Sequence, residues 1–160
     1  MAKSKFDIDE EVLHNIITNR KARFEYHLEE GFIAGIVLTG TEVKSLRAGK
    51  ANFLDTYCML ENDEMFIRNL HINEYTLGTY NNHIPNRVRK LLLQKKEIRK
   101  IRKKLEEKGF TLVPLQLFFN QKNLVKVHLA LAKGKKLYDK REDVKERDAK
   151  REIARKGKWD

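Results

Sequence analysis

Alternation of apolar and polar side chains with a period of two dominates this 160-residue chain. Phe24, Tyr26 and Leu28 alternate with polar neighbours, and Phe32, Ala34, Ile36 and Leu38 continue the rhythm. The pattern predicts a half-buried strand over 24–38, with Gly31 and Gly35 as bulges or bends of a curved sheet. Residues 53–60 and 65–72 read as two more strands, and Asn62-Asp63 fits the turn between them. Residues 110–119 and 124–132 form a second strand pair around a turn at Asn120 to Asn123. In its second half Val125, Val127, Leu129 and Leu131 alternate with Lys126, His128 and Ala130. Pro114 lacks an N–H for the ladder, so its strand is expected to bulge there or to lie at an edge. Ile16-Ile17 marks the start of a further strand.

A helical period appears twice. In Thr39 to Gly49, Thr39 or Thr41 can cap, Val43 and Leu46 face inward, and Gly49 terminates. Over 87–108, Val88, Leu91, Ile98, Ile101 and Leu105 make an apolar stripe, and Gly109 ends it. A break near Gln94 into two helices is the second reading, although glutamine is a poor N-cap. Between these elements, 73–86 reads as a loop. After Ala132 large apolar residues are few, while helix formers are dense. This predicts a tail that is disordered when free and helical when bound.

Five or six strands with a short early helix and a helical insert favour a small closed barrel, because closure removes exposed edges. An open sheet covered by helices is the alternative. The expected organisation is an arm at 1–18, a barrel at 19–132 with a helical insert at 86–108, and a tail at 133–160.

Charge sharpens the picture. The chain carries 34 Lys and Arg against 23 Asp and Glu, a formal net charge of +11. Residues 86–108 hold eleven basic against three acidic residues, and 133–160 hold twelve against seven. The rest is slightly acidic. Charge concentrated in this way suits a polyanion such as nucleic acid. No window approaches the ~20 apolar residues of a spanning helix, and no signal-peptide pattern opens the chain, so a cytoplasmic protein is expected.

Catalytic signals are thin. The G-x-S-x-G and H-E-x-x-H patterns are absent, and Gly134-Lys135-Lys136 lacks the rest of a phosphate loop. The five histidines (14, 27, 71, 83 and 128) show no metal spacing. Cys58 reads as a small buried apolar residue. Glu42 and Asp55 could form an acid–base pair, but nothing in the sequence brings them together. No enzyme activity, cofactor or metal is expected. Binding signals are stronger. Arg20, Lys21 and Arg23 stand beside Phe24 and Tyr26, combining charge for phosphates with rings for bases. Lys44, Arg47 and Lys50 share one side of the short helix.

Four motifs carry a family resemblance: NRKARFEY (19–26), AGIVLTGTEVKSLRAGKANFLD (34–55), PNRVRKLLLQKKEI (85–98) and AKGKKLYDKRE (132–142). With them the chain resembles the SsrA-binding protein family, also called small protein B (SmpB). The resemblance implies a mainly β fold: an OB-like closed antiparallel β-barrel with about three helices and a basic C-terminal tail. It implies binding to the tRNA-like domain of transfer-messenger RNA. It further implies delivery of that RNA to stalled ribosomes for trans-translation, the tail probing the empty mRNA channel at the decoding centre beside small-subunit rRNA. The tagged nascent chain would then go to proteolysis. Elongation factor Tu and alanyl-tRNA synthetase would be indirect partners of a monomeric carrier.

Matched by position, the implied RNA contacts are Asn19, Arg23, Tyr26, Glu42, Lys44, Lys50, Lys90, Leu92, Lys126, Lys133 and Lys136. The implied tail residues are Gly134, Lys135, Tyr138, Asp139, Lys140 and Arg141. Phe24, Ile33 and Gln94 depart from the residues usual in the family. The competing readings are a general basic RNA-binding protein and a small RNA-processing enzyme.

Overall fold

The structure, a computed structural model, describes residues 8, 10–78 and 80–157, and only the backbone at 137–139. Residues 1–7 and 9 of the expected arm, and the side chains of Tyr138 and Asp139, lie outside the described residues.

Strand β1 (Val12–Thr18) leads through a single helical turn, α1 (Ala22–Glu25), into the long strand β2 (Tyr26–Ile36). Helix α2 (Gly40–Arg47) follows, then the short β3 (Ala51–Asn52) and the hairpin β4 (Tyr57–Glu61) and β5 (Glu64–Arg68). After β6 (His71–Ile72) and a loop come β7 (Arg89–Leu92), α3 (Lys95–Leu105), β8 (Phe110–Asn120), β9 (Val125–Gly134) and α4 (Leu137–Lys156). Seven strands form one sheet in the order β1-β8-β9-β2-β7-β5-β4, with every pairing antiparallel. Strands β3 and β6 form a separate two-stranded ladder. No ladder closes β1 onto β4 among the described residues. The sheet nevertheless curls far enough for β4 to lie against β8.

The local chemistry explains the turns. Asn62 and Asp63 both take positive φ (50° and 63°), as a two-residue hairpin following the strand twist requires. At the β8–β9 turn Asn123 also has positive φ, and the Asn120 N–H donates to the Leu124 carbonyl at 2.9 Å. Pro114 resolves as a bulge: the β8–β9 register shifts between Pro114 and Gln116. The bulge in β2 falls between Leu28 and Glu30. Gly31 and Gly35 therefore do not mark it. Gly35 serves another purpose, since a Cβ there would stand 3.3 Å from Leu92 Cβ.

Two expectations are corrected. Residues 24 and 25 belong to α1, not to the strand that follows. The run 87–108 is not one helix: Arg89–Leu92 is the strand joining β2 to β5, and the helix begins only at Lys95. Gln94 does stand at its N-cap, where its N–H donates to Glu97 Oε1 at 3.3 Å. In the tail, Leu137–Lys156 form helix α4.

The main core fills the inner face of the sheet. Leu117, Val127 and Leu129 are fully buried there with Met65 and Ile67, under Leu46 of α2 and Ile101 of α3. Leu129 lies in β9, the strand flanked by both β8 and β2, so its surroundings relax little. Leu129→Ala is therefore expected to cost about 2–5 kcal/mol of unfolding free energy, read as a lower urea midpoint with an unchanged slope.

Candidate nucleic-acid interface

The site is organised by a carboxylate with no access to water. Thr39 starts α2, and its N–H donates to Glu42 Oε1 at 2.9 Å. This capping-box geometry turns the Glu42 side chain back over the helix start. There both the Arg87 and the Arg89 guanidinium groups donate to it. The Arg89 side chain is 0% exposed, and it also donates to the Leu70 carbonyl at 2.6 Å and the Pro85 carbonyl at 3.0 Å. Burial raises the Glu42 pKa, but the Arg87 hydrogen bond, the Thr39 N–H and Arg89 outweigh it. The carboxyl sits below its usual range.

Glu42 is therefore corrected as a direct RNA contact. It is completely buried, and both of its oxygens are occupied. Its structural effect is to fasten α2 to the segment leading into β7. The suggested acid–base pair with Asp55 is not formed, because Asp55 lies in the exposed loop before β4.

The other candidates fall into separate groups. At one end of the β2–β9 ladder, Tyr26 pairs with Gly134 and His27 with Lys133. Arg23 is exposed on the neighbouring turn α1. Asn19 is half-buried and already engaged: its Nδ2 donates to the Pro114 carbonyl at 2.9 Å. Lys133 Nζ lies 5.0 Å from the Phe110 ring centroid. Lys136 is exposed just beyond.

Nine residues farther along β2, roughly 30 Å at strand rise, Gly35 pairs with Leu92 on one side and Lys126 on the other. Its missing side chain leaves Leu92 and Lys126 Nζ side by side, with Leu92 about half exposed. A cleft of about 400 Å³ opens here, lined by Ile36, Leu38, Val43 and Leu124 as well. Lys44 and Lys50 are exposed on and just after α2, and Lys44 Nζ stands 5.4 Å from the Tyr75 ring centroid. Lys90 lies on β7 two residues before Leu92, where its carbonyl accepts the Val37 N–H at 3.0 Å, and its ammonium pairs with Glu64 at 3.1 Å.

The tail begins from the first group. The Lys135 N–H donates to the Glu25 carbonyl at 2.9 Å, and the Lys135 ammonium pairs with Asp143 of α4. Lys140 and Arg147 sit over the Phe24 ring at 6.0 and 5.0 Å. Phe24 thus meets the tail on the same turn that exposes Arg23. Arg141 is exposed.

Sequence reasoning missed Arg87 and Arg89, and it read Phe24 as a ring for bases, not as a contact for the tail. The available signal for the first two was the Thr39-x-x-Glu42 spacing, which announces a capping box. It does not reveal which cations will receive the carboxylate. Among the described residues, no group of three or more His, Cys, Asp or Glu could hold a metal ion, and no helix is long and apolar enough to cross a membrane.

Cations at both ends of one strand ladder, exposed cations along α2 and a basic helical extension define a mainly β protein that faces a polyanion. Residues 16–159 match the model of the SmpB protein family, and the chain belongs to that family. The SsrA-binding protein of Bacteroides thetaiotaomicron is 54% identical over 139 residues, covering 87% of this chain and 93% of that one. The SsrA-binding protein of Symbiobacterium thermophilum is 51% identical over 162 aligned positions, 100% of this chain and 99% of its own. A chain of the solved structure "tmRNA-SmpB: a journey to the center of the bacterial ribosome" is 49% identical with a TM-score of 0.63. The match covers 79% of this chain and 85% of that chain.

Two measurements test this electrostatic design. Glu42→Gln strands the buried Arg89 charge and is expected to cost about 3–5 kcal/mol in chemical denaturation. His128 supplies a pH test. Burial first, and the Arg23 charge second, push its pKa from 6.5 down to about 4. The unfolded chain takes up that proton first, so stability falls as pH drops through this interval. His128→Gln is expected to flatten that part of the stability–pH curve.

Proposed function

We propose that this protein binds the tRNA-like domain of transfer-messenger RNA and brings that RNA to stalled ribosomes for trans-translation. The observation that carries this reading is the match to the SmpB family over residues 16–159. The names of the relatives and of the ribosomal tmRNA-SmpB structure agree with it. The protein acts as a carrier, not as a catalyst, and it works in the cytoplasm as a monomer.

In this reading the curled sheet serves as an OB-like barrel. The contact of β4 with β8 supports that view. The barrel begins with β1 at Val12, inside the stretch expected as an arm, and ends with β9 at Gly134. The RNA would face two areas: Arg23, Tyr26, Lys133 and Lys136 at one end of β2–β9, and Leu92 with Lys126 at the other, a grouping that the pairing of Tyr26 with Gly134 and of Gly35 with Lys126 supports. Lys44 and Lys50 extend the second area along α2. Asn19 holds the first area in place and presents its remaining oxygen. Lys90 reaches RNA by exchanging its exposed pairing with Glu64, a small loss for a surface ion pair. Recognition of a folded RNA elbow needs separated backbone contacts more than base readout.

The tail, 133–160, enters the empty mRNA channel with Gly134 as hinge and Lys135, Tyr138, Asp139, Lys140 and Arg141 at the decoding centre. A message in the channel excludes it by volume and by competition for its positive charge. Entry requires Lys135 to give up Asp143, and Lys140 to leave Phe24. Elongation factor Tu and alanyl-tRNA synthetase act on the RNA that the protein carries.

A titration tests this reading. Full-length protein and a chain ending at Lys136, which keeps all of β9, are each mixed with a tRNA-like-domain RNA and an unrelated hairpin. Both chains are expected to prefer the tRNA-like RNA by more than about tenfold, ~1.4 kcal/mol. Only the full-length chain is expected to support tagging on stalled ribosomes. If neither chain discriminates and affinity only collapses with salt, the general RNA-binding reading replaces this one.

A further inference from the structure

Among the described residues, the three most exposed large apolar side chains all lie in one loop: Tyr80 at 96%, Leu77 at 79% and Ile84 at 72%. Water contact of that extent wastes apolar area unless a partner covers it. The loop is also not slack. Asn82 Nδ2 donates to the Tyr75 carbonyl at 2.8 Å, and Asn82 Oδ1 accepts the Tyr75 N–H at 3.1 Å. This reciprocal clamp closes the loop at its neck. The next residue, His83, is buried, with Nδ1 2.9 Å from Thr41 Oγ1 and Nε2 2.9 Å from the Ile72 carbonyl. The apolar tip is held out on a fixed stem.

The stem is fastened to α2. Ser45 Oγ donates to the Asn73 carbonyl at 2.7 Å, the Asn73 N–H donates to the Lys50 carbonyl at 2.9 Å, and Lys44 overlies Tyr75. The apolar tip therefore rises beside the exposed cations Lys44, Arg47 and Lys50. Residues 73–86 contain one carboxylate, Glu74, and no Lys or Arg. An occupant of this surface must be apolar and flat against Tyr80, and anionic against α2. Nucleic acid combines both properties, with an unpaired base or helix end for the ring and phosphates for the lysines.

We infer that Tyr80, at the exposed tip of this loop, is a stacking platform for an exposed base of the bound RNA. This rests on the RNA-binding reading above and adds a contact to it. The two contributions differ in their response to salt. Stacking displaces few counterions, whereas each phosphate contact steepens the salt dependence.

The test measures binding of the full-length protein, Tyr80→Ala, Tyr80→Phe and Lys44→Ala to the tRNA-like RNA and an unrelated hairpin over a salt series. Tyr80 makes no hydrogen bond that the fold needs, so the melting midpoint of Tyr80→Ala should equal that of the unaltered protein. Tyr80→Ala is expected to weaken tRNA-like RNA binding about tenfold at every salt concentration, with an unchanged slope. Tyr80→Phe should retain the affinity, and Lys44→Ala should make the slope shallower by about one. Equal binding by Tyr80→Ala and the unaltered protein overturns the inference, and would leave the tip to an acidic protein surface. An equal loss on both RNAs upholds stacking while removing specificity for the tRNA-like fold. A full-length protein without RNA preference, with Tyr80→Ala still weaker, separates failure of the functional reading from failure of this inference.

Discussion

The arrangement depends on one carboxylate placed where a carboxylate is costly. Glu42 sits at the start of α2 without solvent contact, and two guanidinium groups and a backbone N–H supply what water would have supplied. Desolvation of such a group is repaid only by a complete set of partners. Completing the set forces distant parts of the chain together. Thr39 and Glu42 come from one loop and helix, Arg87 and Arg89 from the entry to β7, and the Leu70 and Pro85 carbonyls from either end of the intervening loop. The ion cluster thereby fixes the edges of the surface that carries Lys44, Lys50 and the 75–84 loop. An apolar plug of equal volume could fill the space, but it would not specify those directions.

Around this hub the two ends of the β2–β9 ladder are kept apart and in register. The register is inherited from the alternation of Phe32, Ala34, Val127 and Leu129, whose burial would be reversed by a one-residue slip. Gly35 then permits Leu92 and Lys126 to approach across three strands. Rigid spacing between cationic areas suits a partner whose phosphates are also rigidly spaced. It also explains why the cations need not be numerous.

Much of this was legible in the sequence, for a physical reason in each case. Strand β9 alternates over Val125 to Leu131 because one face meets the main core, while its other face and that of β8 are covered by a second buried cluster of Val113, Leu115, Ala130 and Ala132. The Asn62-Asp63 turn is visible because positive φ at two successive residues favours such side chains. The α2 cap shows as Thr39-x-x-Glu42. Strand β7 was hidden because Arg89 occupies an inward position. With a charge where the period of two demands an apolar residue, Val88 and Leu91 matched a helical stripe instead. The tail has helix formers but little apolar area to bury, so the sequence reads as helical only in a bound state. Its docking relies on Phe24 beneath two cations and on the Lys135–Asp143 pair, contacts between segments that no local pattern records. The family's motifs located Glu42 as important, but its role is internal to the fold.

The junction between β9 and α4 has a mechanical side. A helix of twenty residues is about 30 Å long, and among the described residues Lys135 just before it holds Asp143, while Lys140 and Arg147 reach Phe24, no farther than about its midpoint. The remaining turns project as a cantilever. Rotation by about 10° at Gly134 to Lys136 would sweep the far end through roughly 5 Å, the width of one helical turn. Small adjustments near Phe24 are thus geared up into displacements large enough to choose between neighbouring phosphates at the tip.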